Sequence, residues 1–141
     1  MIVAIDFGIT NTDVALSNKS QYKFFSMPSK NANESFIDEI ISLIDIDITE
    51  ISQIVVTGGK SNELNESFKG VNLTKISETD AIGYGTKEIY KIENEPFITL
   101  SCGTGTACIH HQDGQFSYVG GIAVGGGTIS GLSKAMLDSS S

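Results

Sequence analysis

At 141 residues, with 40% hydrophobic and 18% charged side chains, the sequence has the size and balance of one ordinary globular domain, and residues 1–141 are expected to form one. The 9 Lys and Arg against 17 Asp and Glu give a net charge of -8 without a basic run, which argues against a nucleic-acid or anionic-membrane partner. No apolar stretch approaches the roughly 18 residues of a membrane span. Any anionic ligand has to be held locally, by backbone NH groups or a metal ion.

From the N-terminus, residues 2–7 (IVAIDF) and 13–17 (DVALS) are apolar or β-branched runs flanking GITNT, and Tyr22–Phe25 follows a polar stretch. This spacing predicts a three-strand meander. No charged leader precedes it, so no signal peptide is expected and a cytoplasmic location is the default. Between Asn33 and Ile46, Phe36, Ile37, Ile40, Ile41, Leu43 and Ile44 fall at helical spacing, with Asn33 or Ser35 available as caps. Residues 51–57 (ISQIVVT) read as a buried strand ended by Gly58 and Gly59, 61–68 as a short helix, and 71–76 as a strand.

A second helix is expected over 78–92, then a strand at 97–100, a glycine turn, and two strands joined at Asp113-Gly114. A last helix is expected to open at Gly125–Thr128 and run to Leu137, with a frayed end at Ser139–Ser141. Strands that first meander and then alternate with helices make an α/β fold with a mixed sheet. Cys102 and Cys108 are too few and wrongly spaced for a disulfide framework or a zinc site and read as structural thiols. Paired His110 and His111, near a turn, read as solvated surface.

Three glycine turns carry the chemical signal. In the first, Asp6, Gly8, Thr10, Asn11 and Thr12 combine inward backbone NH groups with hydroxyl and amide donors suited to a phosphate. Asp6, at a strand end, is placed either to face a hydrated Mg²⁺ or to cap the hairpin. The second turn alternates Gly103, Thr104, Gly105 and Thr106; the third, Gly125, Gly126, Gly127 and Thr128, precedes a helix whose N-terminus favours an anion. AIDFGITNTDVAL and TLSCGTGTACIHH share one order of strand, glycine turn and strand.

The string AIDFGITNTDVAL resembles the first phosphate loop of the superfamily of sugar kinases, acetate kinase, actin and heat-shock chaperone ATPases. TGGK at 57–60, ISETDAIGYG at 76–85 and PFITLSCGTGTACIHHQDGQFSYVGGIAVGGGTISGL at 96–132 are similar, in order and spacing, to type II pantothenate kinases. The resemblance implies a ribonuclease H-like (actin-like ATPase) domain that uses ATP and Mg²⁺ to phosphorylate the primary hydroxyl of pantothenate or a related small molecule, the first step toward coenzyme A. Glu78 matches the family's catalytic carboxylate; from the residues alone, Glu78 and Asp80 are equally well read as helix-start acids.

Three departures stand out. Ile9 and Asp13 occupy the places of a family glycine and of the lysine that meets the γ-phosphate, and Tyr118 replaces an arginine that helps hold the acceptor, which makes Tyr118, with Thr104, the candidate for acceptor binding. The TNTD pattern also resembles hydantoinase and oxoprolinase proteins, and a non-catalytic nucleotide-binding module stays open. The resemblance covers about half of a two-lobed kinase, so a homo-oligomer, a dimer foremost, or a C-terminal lobe beyond residue 141 is the expected partner.

Overall fold

The computed structural model describes residues 1–18 and 21–137, so the end expected at Ser139–Ser141 lies outside the described residues. The chain gathers into two compact units, Met1–Glu78 and Thr79–Ser141.

In the first unit, β1 (Ile2–Phe7), β2 (Asn11–Ser17) and β3 (Tyr22–Pro28) form the expected antiparallel meander, and β4 (Gln53–Thr57) and β6 (Val71–Lys75) extend the sheet in parallel. The strand order is β3-β2-β1-β4-β6-β5, where β5 is the short Ser67–Phe68 strand. Alternation along β1 puts Val3, Ile5 and Phe7 on a buried face at 1% exposure or less, and the parallel register sets Ile54 and Val56 beside Val3 and Ile5. Ala4 and Asp6 therefore stand on the opposite face, with Val55 and Thr57 as their neighbours on β4.

Helix α1 (Glu34–Leu43) covers the apolar face with Phe36, Ile37, Ile40 and Ile41. Its start is fixed by Asn33, whose side chain accepts from the Phe36 backbone NH at 2.9 Å. Burying each of these four side chains is worth about 1.5–3 kcal/mol, which makes α1 a substantial part of the unit's core. Leu43, expected on the apolar face, is instead 60% exposed, because the helix closes at Ile44 and Asp45 turns into positive φ.

The helix expected over 61–68 is replaced by one 3-10 turn, Ser61–Glu63, and β5. Lys69 and Gly70, at φ 47 and 83, form a tight hairpin that returns the chain into β6 and buries Phe68. The lysine-glycine pair is the turn signal that outweighs the helical spacing.

The second unit holds α2 from its second residue on (Glu78–Tyr90), the antiparallel strands β7 (Phe97–Cys102), β8 (Thr106–Gln112) and β9 (Gln115–Ile122), and α3 (Gly126–Leu137). The Asp113-Gly114 turn joins β8 to β9 as expected, and a bulge interrupts the ladder between Cys108 and Ile109. One face of this sheet meets α2: Tyr84 packs edge-on against Phe116 at 4.8 Å, and the Thr99 hydroxyl donates to that of Thr86 at 3.0 Å.

His111 corrects the surface reading of the histidine pair, since it is 1% exposed. It stacks on Phe97 at 4.7 Å and lies 4.9 Å from Phe116, both on neighbouring strands in register with it. Those two aromatic residues supply the cover that the adjacent turn suggested was missing. The other face carries Ile98 and Leu100, each 65% exposed.

Candidate functional site

In the first unit, the sheet ends in a knot of backbone and acidic side chains. β1 stops at Phe7, and β2 restarts at Asn11, two residues earlier than the sequence suggests, so the turn narrows to Gly8–Thr10. Ser29, just past β3, straps it: its backbone NH donates to the Thr10 carbonyl at 3.0 Å and its hydroxyl to the Gly8 carbonyl at 2.6 Å. Thr12 is fully buried, with its hydroxyl 3.3 Å from that of Ser29, whereas Thr10 and Asn11 are exposed. The strap holds the turn's shape before any ligand arrives.

Asp6 lies directly across from Asp13 in the β1–β2 ladder and beside Thr57 in the β1–β4 ladder. Asp6 itself is exposed, but partial loss of water at the packed strand end raises its carboxyl from the ordinary value, and the negative charges of Glu78 and Asp13 push it the same way. Glu78, the first residue of α2, is exposed and close enough to Asp6 for this effect to be felt. The buried Thr57 hydroxyl has no hydrogen-bond partner among the described residues.

Gly58 closes this corner at φ +89; a Cβ there would lie 2.5 Å from the Phe7 carbonyl oxygen and 3.0 Å from the Asp6 carboxylate. Backbone cannot yield as a side-chain tip can. Gly58→Ala is accordingly expected to cost about 1–3 kcal/mol, read as a lowered midpoint in thermal or urea unfolding. An unchanged midpoint would show that the corner relaxes freely.

In the second unit, the other two glycine turns interlock. Gly125 is buried against the Gly105 and Gly103 carbonyls so closely that no side chain fits. The Gly127 and Thr128 backbone NH groups donate to the Gly103 and Thr104 carbonyls at 3.2 and 3.3 Å, and the Thr128 hydroxyl donates to the Thr104 carbonyl at 2.6 Å. The Thr106 hydroxyl ties the same turn to the Val124 carbonyl at 2.8 Å. Residues 101–106 and 125–128, which the sequence separates, therefore form one loop cluster. Two NH groups of the α3 first turn are spent inside it, while Gly103 and Gly126 remain exposed at its surface.

Tyr118 on β9 is 60% exposed, with its hydroxyl folded over Gly121. Among the described residues, no three His, Cys, Asp or Glu side chains gather to hold a metal ion by themselves. Sequence reasoning missed Ser29 and Lys60, whose ammonium lies 3.4 Å from the Ser29 hydroxyl. The TGGK block that contains Gly58 and Lys60 was visible, but its contact with the first turn is a product of the β1–β4 pairing.

No protein-family model matches the chain. The type II pantothenate kinases of Bacillus anthracis and Bacillus cereus are 34% and 35% identical to it, each along 95% of the chain. The chain is similar to type II pantothenate kinases. It spans about half the length of these relatives, 48% and 49%. Among solved structures, the activator of 2-hydroxyisocaproyl-CoA dehydratase from Clostridium difficile, with bound ADPNP, superposes with a TM-score of 0.68 at 16% identity over 98% of this chain and 52% of its own. That likeness bears out the expected actin-like ATPase fold. No helix among the described residues is long and apolar enough to cross a membrane.

Proposed function

We propose that this chain is the phosphate-binding and base-bearing part of an ATP-dependent kinase that phosphorylates a primary hydroxyl, with pantothenate as the first acceptor to test. The observation that carries the reading is the similarity to type II pantothenate kinases along 95% of the chain, so that both units take part in it. The geometry adds a strapped first turn, an interlocked pair of glycine turns, and a carboxylate next to a strand-end aspartate.

In this reading Gly8, Thr10 and Asn11 meet phosphate oxygens at the first turn, and buried Thr12 keeps that turn in shape through Ser29. Gly103, Thr104, Gly105, Gly125, Gly126, Gly127 and Thr128 form the second phosphate cradle, its outer amides facing the ligand and its inner ones fixing the loops. Asp6 suits a hydrated Mg²⁺, because its exposed carboxylate is crowded by two other negative charges that a cation would relieve. Asp6 would be the carboxylate that holds the ion from the protein side. When bound, Mg²⁺ supplies charge neutralisation at the β- and γ-phosphates.

Glu78 accepts the proton of the attacking hydroxyl, and Tyr118, with Thr104, offers hydrogen bonds to the acceptor. A phenol gives one hydrogen bond and no charge, so an anionic acceptor is held less firmly than by an arginine. Ile98 and Leu100 on β7, and Ile129, Leu132 and Met136 on α3, are exposed apolar side chains of the second unit, which a second lobe, or a second copy in a dimer, would cover.

The test is ADP release by the full-length protein with Mg²⁺ and ATP, with pantothenate and other small alcohols offered separately. Pantothenate-dependent release is the expected result. Release indifferent to every alcohol would refute the kinase reading.

A further inference from the structure

The first phosphate turn lacks a cation of its own, because Asp13 follows it and Asp6, Asp13 and Glu78 crowd the adjoining strand end. Phosphate brought there needs positive charge beyond one Mg²⁺. Among the described residues, the lysines of this unit differ sharply in what already holds them. Lys30 is clamped on both Glu39 oxygens at 2.6 and 2.7 Å, and Lys69 pairs with Asp38. Lys75 donates to the Asn62 carbonyl at 2.8 Å, and Lys23 stands further along β3, in register with Leu16.

Lys60 is different. Its ammonium touches the Ser29 hydroxyl at 3.4 Å, a long contact to a neutral group that is itself spent on the Gly8 carbonyl at 2.6 Å. The loop that carries it is well fixed: the Gly58 carbonyl accepts the Ser61 backbone NH at 3.0 Å and the Ser61 hydroxyl at 2.7 Å, and Ser61 is 3% exposed. A pinned backbone thus places a flexible cation, without a carboxylate partner in this contact, at the edge of the strapped turn.

The geometry points to Lys60 as the side chain that neutralises nucleotide phosphate at the Gly8–Thr12 turn, supplying from the β4 loop the charge that position 13 does not. The inference rests on the phosphate-binding reading above. A lysine acts on phosphate as a point charge, so it tolerates arrival from a different direction, provided its stem reaches. A weak contact to Ser29 is readily exchanged for a charge-assisted one.

The experiment is calorimetric titration of the full-length protein with ATP, ADP and AMP in the presence of Mg²⁺, for the native protein, Lys60→Met and Lys60→Arg. Lys60→Met is expected to weaken ATP binding about ten-fold or more and AMP binding far less, while Lys60→Arg keeps most of the affinity. Because the lysine is exposed, the melting temperatures should agree, which separates lost charge from lost folding. Lys60→Met binding ATP as tightly as the native protein would overturn the assignment. Equal weakening of ATP and AMP would overturn it too, by showing a structural role. Failure of the native protein to bind any of the three would instead bring down the phosphate reading itself.

Discussion

Replacing Glu78 by Gln in the full-length protein is expected to lower kcat for phosphoryl transfer by about a hundred- to ten-thousand-fold while leaving the KM for ATP within a few-fold. The amide keeps the size and the hydrogen-bonding reach of the carboxylate at the first position of α2 and removes only its ability to accept a proton and its charge. A second readout does not depend on turnover. Glu78 is one of the two negative charges that hold the Asp6 carboxyl up, so its neutralisation should move the Asp6 titration, followed by NMR, back toward the ordinary carboxylate value. A variant with undiminished kcat but a shifted Asp6 would leave Glu78 as a neighbour in the acidic corner and remove it as the base.

What the sequence made legible was local. The apolar alternation of β1, the helical spacing of Phe36, Ile37, Ile40 and Ile41, and the Asp113-Gly114 turn each depend on a few consecutive residues, and each is found in the fold. The glycine turns were legible for the same reason, since glycine marks where backbone must approach something closely. What glycine does not tell is what approaches: Gly125 meets the carbonyls of Gly103 and Gly105, so part of the third turn's conformational freedom serves the joining of two turns.

The missed features are products of pairing between distant segments. Ser29 reaches the first turn because β2 and β3 pair with Asn11 opposite Pro28, which leaves the next residue beside Gly8 and Thr10. Lys60 reaches Ser29 only because β4 lies next to β1. His111 is buried because residues 14 positions before and 5 positions after it, Phe97 and Phe116, come into register on either side. A reading along one chain segment at a time has no access to these contacts.

The same reasoning gives Asp6→Asn two opposite effects. Directly opposed like charges in an antiparallel ladder destabilise by up to about 1 kcal/mol, and Asp6 faces Asp13 in that way. Its carboxyl is raised in the folded protein relative to the unfolded chain. The folded form therefore holds a proton more firmly, the stability from Asp6 is present at low pH, and it is lost as pH rises through the raised value. Above that value, ligand-free Asp6→Asn should melt a few degrees higher than the native protein, on the order of 4 °C for 1 kcal/mol, and the gap should close on acidification. With Mg²⁺ and ATP the order should reverse, because the native protein gains binding stabilisation that the amide cannot support, and phosphoryl transfer by the variant should fall at least about a hundred-fold. Equal melting at neutral pH would mean that solvent screens the two carboxylates from each other. Full activity in the variant would take the metal away from Asp6. Both expectations turn on one strand-end carboxylate: unpaired it is expected to weaken the ligand-free fold, and the proposed cation would reverse that effect by binding it.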